Sequence, residues 1–114
     1  MATPITLTIF DDPVAWLTEN GPYIHADGVS AIVAVSPFRM DGKVKYEDRE
    51  EGTKKSVTPE EHVEALRMLC EQVGRTLFVG GVNSPYDLLD PGRWDIEVYD
   101  AFRQLAYHKK VIYG

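Results

Sequence analysis

The chain carries one cysteine, Cys70, so it cannot close an internal disulfide, and a reducing cytosol is the simpler setting for it. It has no apolar run approaching the about 18–20 residues that a membrane-crossing helix needs. No base precedes Arg39, so the basic-then-apolar opening of a secretory signal is missing. Residues 1–38 instead hold Asp11, Asp12, Glu19 and Asp27 against no Lys or Arg. With a formal charge of −6 overall, this discourages unspecific attraction to nucleic acid or anionic lipid, and direct nucleic-acid binding is not expected. Internal repeats, low-complexity tracts and linkers are also missing, so the 114 residues read as a single domain over 1–114 with one hydrophobic core.

What is present fits an ordinary folded domain: 44% hydrophobic and 26% charged residues exclude a disordered composition. Ile5-Thr6-Leu7-Thr8-Ile9 alternates with period two and predicts a strand. Asp12 at the N-cap, Pro13 at the first helical position and Gly21-Pro22 as a stop predict a short helix over about 13–20. Val29 to Val35 is β-branched and predicts a central strand running toward Phe38-Arg39-Met40, with Pro37 interrupting its ladder. Asp41-Gly42 is a favoured type I′ pair, and Lys43-Val44-Lys45-Tyr46 alternates after it, so a hairpin is expected there. Glu47 to Lys55 reads as its solvated, charged end.

Thr58-Pro59-Glu60-Glu61 is a capping box, and Val63, Leu66, Leu69, Cys70 and Val73 form one apolar face of the helix it opens, ended by Gly74. Thr76 to Val79 predicts another strand, Gly80-Gly81 a turn, and Ser84-Pro85 a further helical start. A last helix starts near Asp90-Pro91 or Asp95, with Trp94, Val98, Phe102 and Leu105 on one face, and Val111-Ile112-Tyr113 is expected to add a closing strand. The expected fold is α+β: a small antiparallel or mixed sheet of four to five short strands, two main helices and one short one.

No catalytic, metal or cofactor constellation is legible. His25 and Asp27 would share one side of an extended segment, but two ligands do not make a site. His62 beside Glu61 reads as a solvated or cap-packed residue, and His108, in the last turn of its helix with Lys109 and Lys110, as a partner of the helix dipole. Cys70 reads as buried and inert, having no base or helix N-terminus to activate it. The acidic pairs Asp11/Asp12 and Glu60/Glu61 are taken up in caps.

Two segments resemble a group of small, mostly uncharacterised phage and prophage proteins, especially of actinobacteria. Val57-Thr58-Pro59-Glu60-Glu61-His62-Val63-Glu64-Ala65-Leu66-Arg67 is similar to their capped helix. Residues Ile96 to Gly114 are similar to their closing segment, notably Asp100, Gln104-Leu105-Ala106 and Val111-Ile112-Tyr113-Gly114. Before residue 57 there is no correspondence, and Tyr107-His108-Lys109-Lys110 departs from the apolar, Gly-containing turn of the pattern.

The resemblance implies a small α+β protein made during infection, in the cytoplasm of an infected or lysogenic bacterial host. It brings no catalytic residue with it. The expected function is therefore that of a non-enzymatic protein-binding module, an inhibitor of a host defence system, with a host or defence protein as partner and homo-oligomers compatible with it. The candidate contact residues are Asp41, Lys43, Lys45, Glu47, Asp48, Arg49, Glu50 and Glu51. The alternative is a small-molecule binder that sequesters a nucleotide-like signal through Gly80, Gly81, Asn83 and Ser84.

Overall fold

The computed structural model describes Phe10 and residues 12–24, 31–75 and 85–113. The strands expected at 5–9 and 76–79 lie outside these residues, as does His25 with Asp27. Helix α1 (Pro13–Ile24) opens as its sequence dictates: the Asp12 carboxylate accepts the Ala15 amide at 3.1 Å, and Pro13 occupies the first turn. It does not stop at Gly21. The helix runs through Gly21 and Pro22, burying Leu17, Gly21 and Ile24 on one face. Gly21 is there for close approach rather than for a turn, since a Cβ at this position would lie 2.0 Å from Phe38 Cε2.

Three antiparallel strands follow in the order β1 (Ile32–Ala34), β2 (Val44–Asp48) and β3 (Thr53–Val57). Ile32 stands opposite Asp48, and Val44 opposite Val57. The fold is α+β with a three-stranded antiparallel sheet among the described residues. The hairpin turn is not at Asp41-Gly42. Residues 35–43 form a long connection, because Pro37 cannot extend the ladder and Phe38 turns inward to meet the His62 ring 5.2 Å away. The tight turn lies at 49–52 instead, where Gly52 takes φ 73° and its amide donates to the Asp48 carbonyl at 2.8 Å.

Helix α2 (Pro59–Arg75) starts on the capping box in its full reciprocal form. The Glu61 amide donates to Thr58 Oγ1 at 3.1 Å and the Thr58 amide to Glu61 Oε1 at 2.9 Å. Short 3₁₀ segments at Pro85–Leu89 and Pro91–Arg93 lead to α3 (Ile96–His108), which Asp95 caps through the Val98 amide at 3.2 Å. Both indoles tie the first of these segments down: Trp16 Nε1 donates to the Leu89 carbonyl and Trp94 Nε1 to that of Leu88. One core joins the elements, with Ile32, Val44, Tyr46 and Val57 of the sheet closed over Leu66, Leu69, Phe102 and Leu105 of the helices.

The expected closing strand does not form among the described residues: 111–113 have no regular secondary structure and pair with no described strand. Gln104 takes the place of a neighbouring strand. Its buried Oε1 accepts the amides of Ile112 and Tyr113, both at 2.8 Å, and its Nε2 donates to the Tyr113 carbonyl at 3.3 Å. The tail is thereby folded back under the hairpin after Lys109, which adopts the left-handed conformation at φ 66°.

Candidate functional site: a charged hairpin above a saturated polar clasp

Because side chains alternate across a strand, β2 sends Val44, Tyr46 and Asp48 to the helices and Lys45 and Glu47 to the other face. On β3 the register places Lys54 opposite Glu47 and Ser56 opposite Lys45, so both share that outer face. Lys43, Lys45, Lys54 and Ser56 are exposed, and Glu47 is half-buried. The turn adds exposed Arg49, Glu50 and Glu51.

The bases of the hairpin differ from most of those elsewhere in one respect, although Lys110 after α3 is also exposed without an ion pair among the described residues. Arg39 pairs with Asp41, Lys55 and Lys109 with Glu61, Arg67 with Glu64 and Glu71, and Arg93 with Asp87. Among the described residues, Lys43, Lys45 and Lys54 make no ion pair, so three ammonium groups stand uncommitted beside the single carboxylate of Glu47. In a chain of net −6 the face is locally basic.

Asp48 does not belong to that surface. It lies on the inner face with no exposure, and its carboxylate accepts four hydrogen bonds. Oδ1 takes the amides of Glu50 and Glu51 at 2.8 and 3.1 Å, and Oδ2 takes His108 Nε2 at 2.8 Å and the Tyr113 hydroxyl at 2.6 Å. Burial works against ionisation here, but the Tyr113 and His108 bonds and the two amides outweigh it and hold the carboxyl below its usual range. The same contact raises the Tyr113 hydroxyl above its ordinary value. His108 thus does more than complement the helix dipole: it locks the end of α3 to the hairpin.

Asp48, Glu51 and His108 bring potential ligand atoms within 4.8 Å of one another. The donor set suits hydrogen bonding better than a cation. An ion bound at Oδ2 would have to displace the Tyr113 hydroxyl and strip the proton from His108 Nε2, leaving the carboxylate short of two partners. Nor is this an acyl-transfer arrangement, because among the described residues no Ser, Thr or Cys side chain bonds to His108.

His62 is fully buried, not solvated. Its Nδ1 lies 3.0 Å from the Thr58 carbonyl, an obligate acceptor, so Nδ1 carries the proton and Nε2 accepts the Tyr46 hydroxyl at 2.9 Å. Burial pushes this imidazole down to about 4 and the Tyr46 phenol well up. Cys70 is buried in the core, which raises its thiol to about 12.

The structure therefore keeps Lys45, Glu47, Arg49, Glu50 and Glu51 of the predicted contact residues on one hairpin with Lys43 directly before it, adds Lys54, and removes Asp48 to the interior. Asp41 sits in the preceding connection, paired to Arg39 at 2.7 Å. Gly80, Gly81, Asn83 and Ser84 lie outside the described residues. Sequence reasoning missed the clasp because its members are 60 and 65 residues apart. The only local hint was Asp48 four positions before Gly52, the spacing of an Asp-led turn. Among the described residues no helix is long and apolar enough to cross a membrane. Compared with protein-family models, with curated proteins and with solved structures, the chain matches none.

Proposed function

We propose that this protein is a binding module that recognises another protein through the outer face of the β2–β3 hairpin. The observation that supports this most is the contrast in how polar groups are used. Asp48, His62 and Cys70, the residues with chemical potential, are buried and either hydrogen-bonded or packed. Lys45 and Lys54 on the outer face, and Lys43 directly before β2, are the opposite: exposed and without ion-pair partners among the described residues. Recognition by a rigidly mounted surface loop needs such groups, and the clasp beneath supplies the rigidity. Acid–base or nucleophilic catalysis needs the buried ones to be accessible.

The resemblance of the capped helix and C-terminal segment to phage and prophage proteins gives the partner's class: a host or defence component met in the bacterial cytoplasm, which the module would inhibit by occupying it. The test is affinity capture from host lysate with the native chain beside a variant in which Lys43, Lys45 and Lys54 are all changed to Ser. A partner held by the native chain and lost by the variant, with both melting alike, supports the proposal. A partner retained by the variant places recognition elsewhere and defeats it.

A further inference from the structure

We infer that the partner presents an acidic, extended segment that adds as a further strand to the edge of β3 that no described residue covers. This rests on the reading of the hairpin as a protein-binding surface and names the manner and chemistry of the contact.

The hydrogen-bond pattern identifies the edge. Lys45 accepts from the Val35 amide and the Arg49 amide donates to Ala31, so the odd-numbered residues of β2 turn their backbone groups toward β1. Its even-numbered residues therefore face β3, where their register partners are Val57, Lys55 and Thr53. Lys54 and Ser56 are left with N–H and C=O groups directed away from the sheet. Among the described residues nothing bonds to them. Within the sheet of the described residues β3 is thus an outer strand, offering two donors and two acceptors to an incoming chain.

Side-chain chemistry selects what can approach. A residue placed opposite Lys54 or Ser56 would project on the outer face, beside the uncommitted ammonium groups of Lys54 and Lys45. A carboxylate there finds opposite charge, and a base finds repulsion. Alternate residues of the incoming strand would project on the inner side, toward Lys55 and the Tyr107 ring. Lys55 is already occupied there, donating to the Tyr107 carbonyl at 2.8 Å, so these positions suit short apolar side chains. A second copy of this chain meets like charge in two of its registers: pairing Lys54 with Ser56 of the copy sets the two Lys55 side chains directly opposite each other, and pairing Lys54 with Lys54 does the same on the outer face.

The probe is a fluorescein-labelled synthetic peptide of alternating glutamate and valine, with an alternating lysine–valine peptide as control. Binding is read by anisotropy and by backbone amide shifts of the full chain. Ser56→Pro removes one outward N–H while leaving the β2–β3 ladder intact, since that amide takes no part in it. Lys54→Glu reverses the charge. The acidic peptide is expected to bind in preference to the basic one and to shift the Lys54 and Ser56 amides. It should weaken about tenfold on Ser56→Pro, and Lys54→Glu should invert the preference between the two peptides.

Equal binding to Ser56→Pro, no binding of the acidic peptide, or sedimentation as a dimer that Ser56→Pro dissociates would each overturn the inference. The two proposals fail separately. If a captured partner is lost on changing Lys43, Lys45 and Lys54 to Ser but kept by Ser56→Pro, the hairpin surface stands and strand addition falls.

Discussion

The Asp48 carboxylate and the Tyr113 hydroxyl meet at 2.6 Å across 65 residues of chain, joining the turn of the hairpin to the C-terminal tail. His108 completes the junction, so one buried acid fixes the orientation of the hairpin, the end of α3 and the tail together. Asp48→Ala would leave two backbone amides, an imidazole N–H and a phenol without their acceptor. We expect a loss of about 3–5 kcal/mol, as for other broken buried charge clusters, read as a lower urea midpoint. Tyr113→Phe removes one of the four bonds and should cost about 1–2 kcal/mol by the same measurement. Equal midpoints for Asp48→Ala and the native chain would show that the clasp carries no stability.

Stability should fall as the medium is acidified, and besides Asp48, whose lowered carboxyl also favours the fold above its usual range, two groups contribute in separate windows. His62 is held neutral by burial and titrates at about 4 when folded, against an ordinary value of 6.5. The unfolded chain therefore takes up this proton first, and the neutral imidazole's contribution, complete above pH 6.5, is lost as pH falls toward 4. The loss over that window is roughly 3 kcal/mol. At Glu61 burial opposes the charge, but Lys109 and the Thr58 amide hold the carboxyl at about 2, below its ordinary 4.5. Its contribution is present above pH 4.5 and disappears between there and 2. Denaturant titrations from pH 7 to 4 should show the first step in the native chain. They should show a flatter profile in His62→Gln, which cannot take up that proton.

Gly21→Ala would raise helix propensity in an ordinary helix, yet here it should destabilise. The new methyl would meet the Phe38 ring at 2.0 Å, and that ring is itself set edge-on against His62. A helix gain of about 1 kcal/mol is outweighed by overpacking of about 1–3 kcal/mol. The expected result is a lower melting temperature, recovered in part by adding Phe38→Leu. A higher melting temperature for Gly21→Ala alone would contradict the packing described.

Cys70 should be silent toward thiol reagents in the folded chain, because it is buried and its thiol is raised to about 12. Labelling by a disulfide reagent at pH 8 should follow the unfolded fraction as urea is added. Rapid labelling without denaturant would place the thiol at the surface.

The parts of this fold legible in the sequence are those whose causes lie within a few residues of one another. Thr58 and Glu61 announced α2 because a capping box is a four-residue device, and Trp94, Val98, Phe102 and Leu105 marked the buried face of α3 by spacing alone. Local signals failed where a distant partner decided the outcome. Gly21 looks like a helix stop until Phe38 is seen against it, and Asp41-Gly42 looks like a turn until residues 35–43 leave the sheet. Val111 to Tyr113 has the composition of a strand, but the amides of Ile112 and Tyr113 are taken by the Gln104 side chain. The site divides in the same way. The charge of the hairpin was visible in the sequence, whereas the burial of Asp48 within it depends on His108 and Tyr113, which no local pattern connects to it.

The most direct measurement is amide hydrogen exchange of the chain, free and bound to a partner captured on it. If the hairpin is the recognition surface, added protection concentrates on residues 43–56, strongest at Lys54 and Ser56, while α1 and the exposed side of α2 exchange as before. Protection centred on those helices, with 43–56 unchanged, would contradict the account.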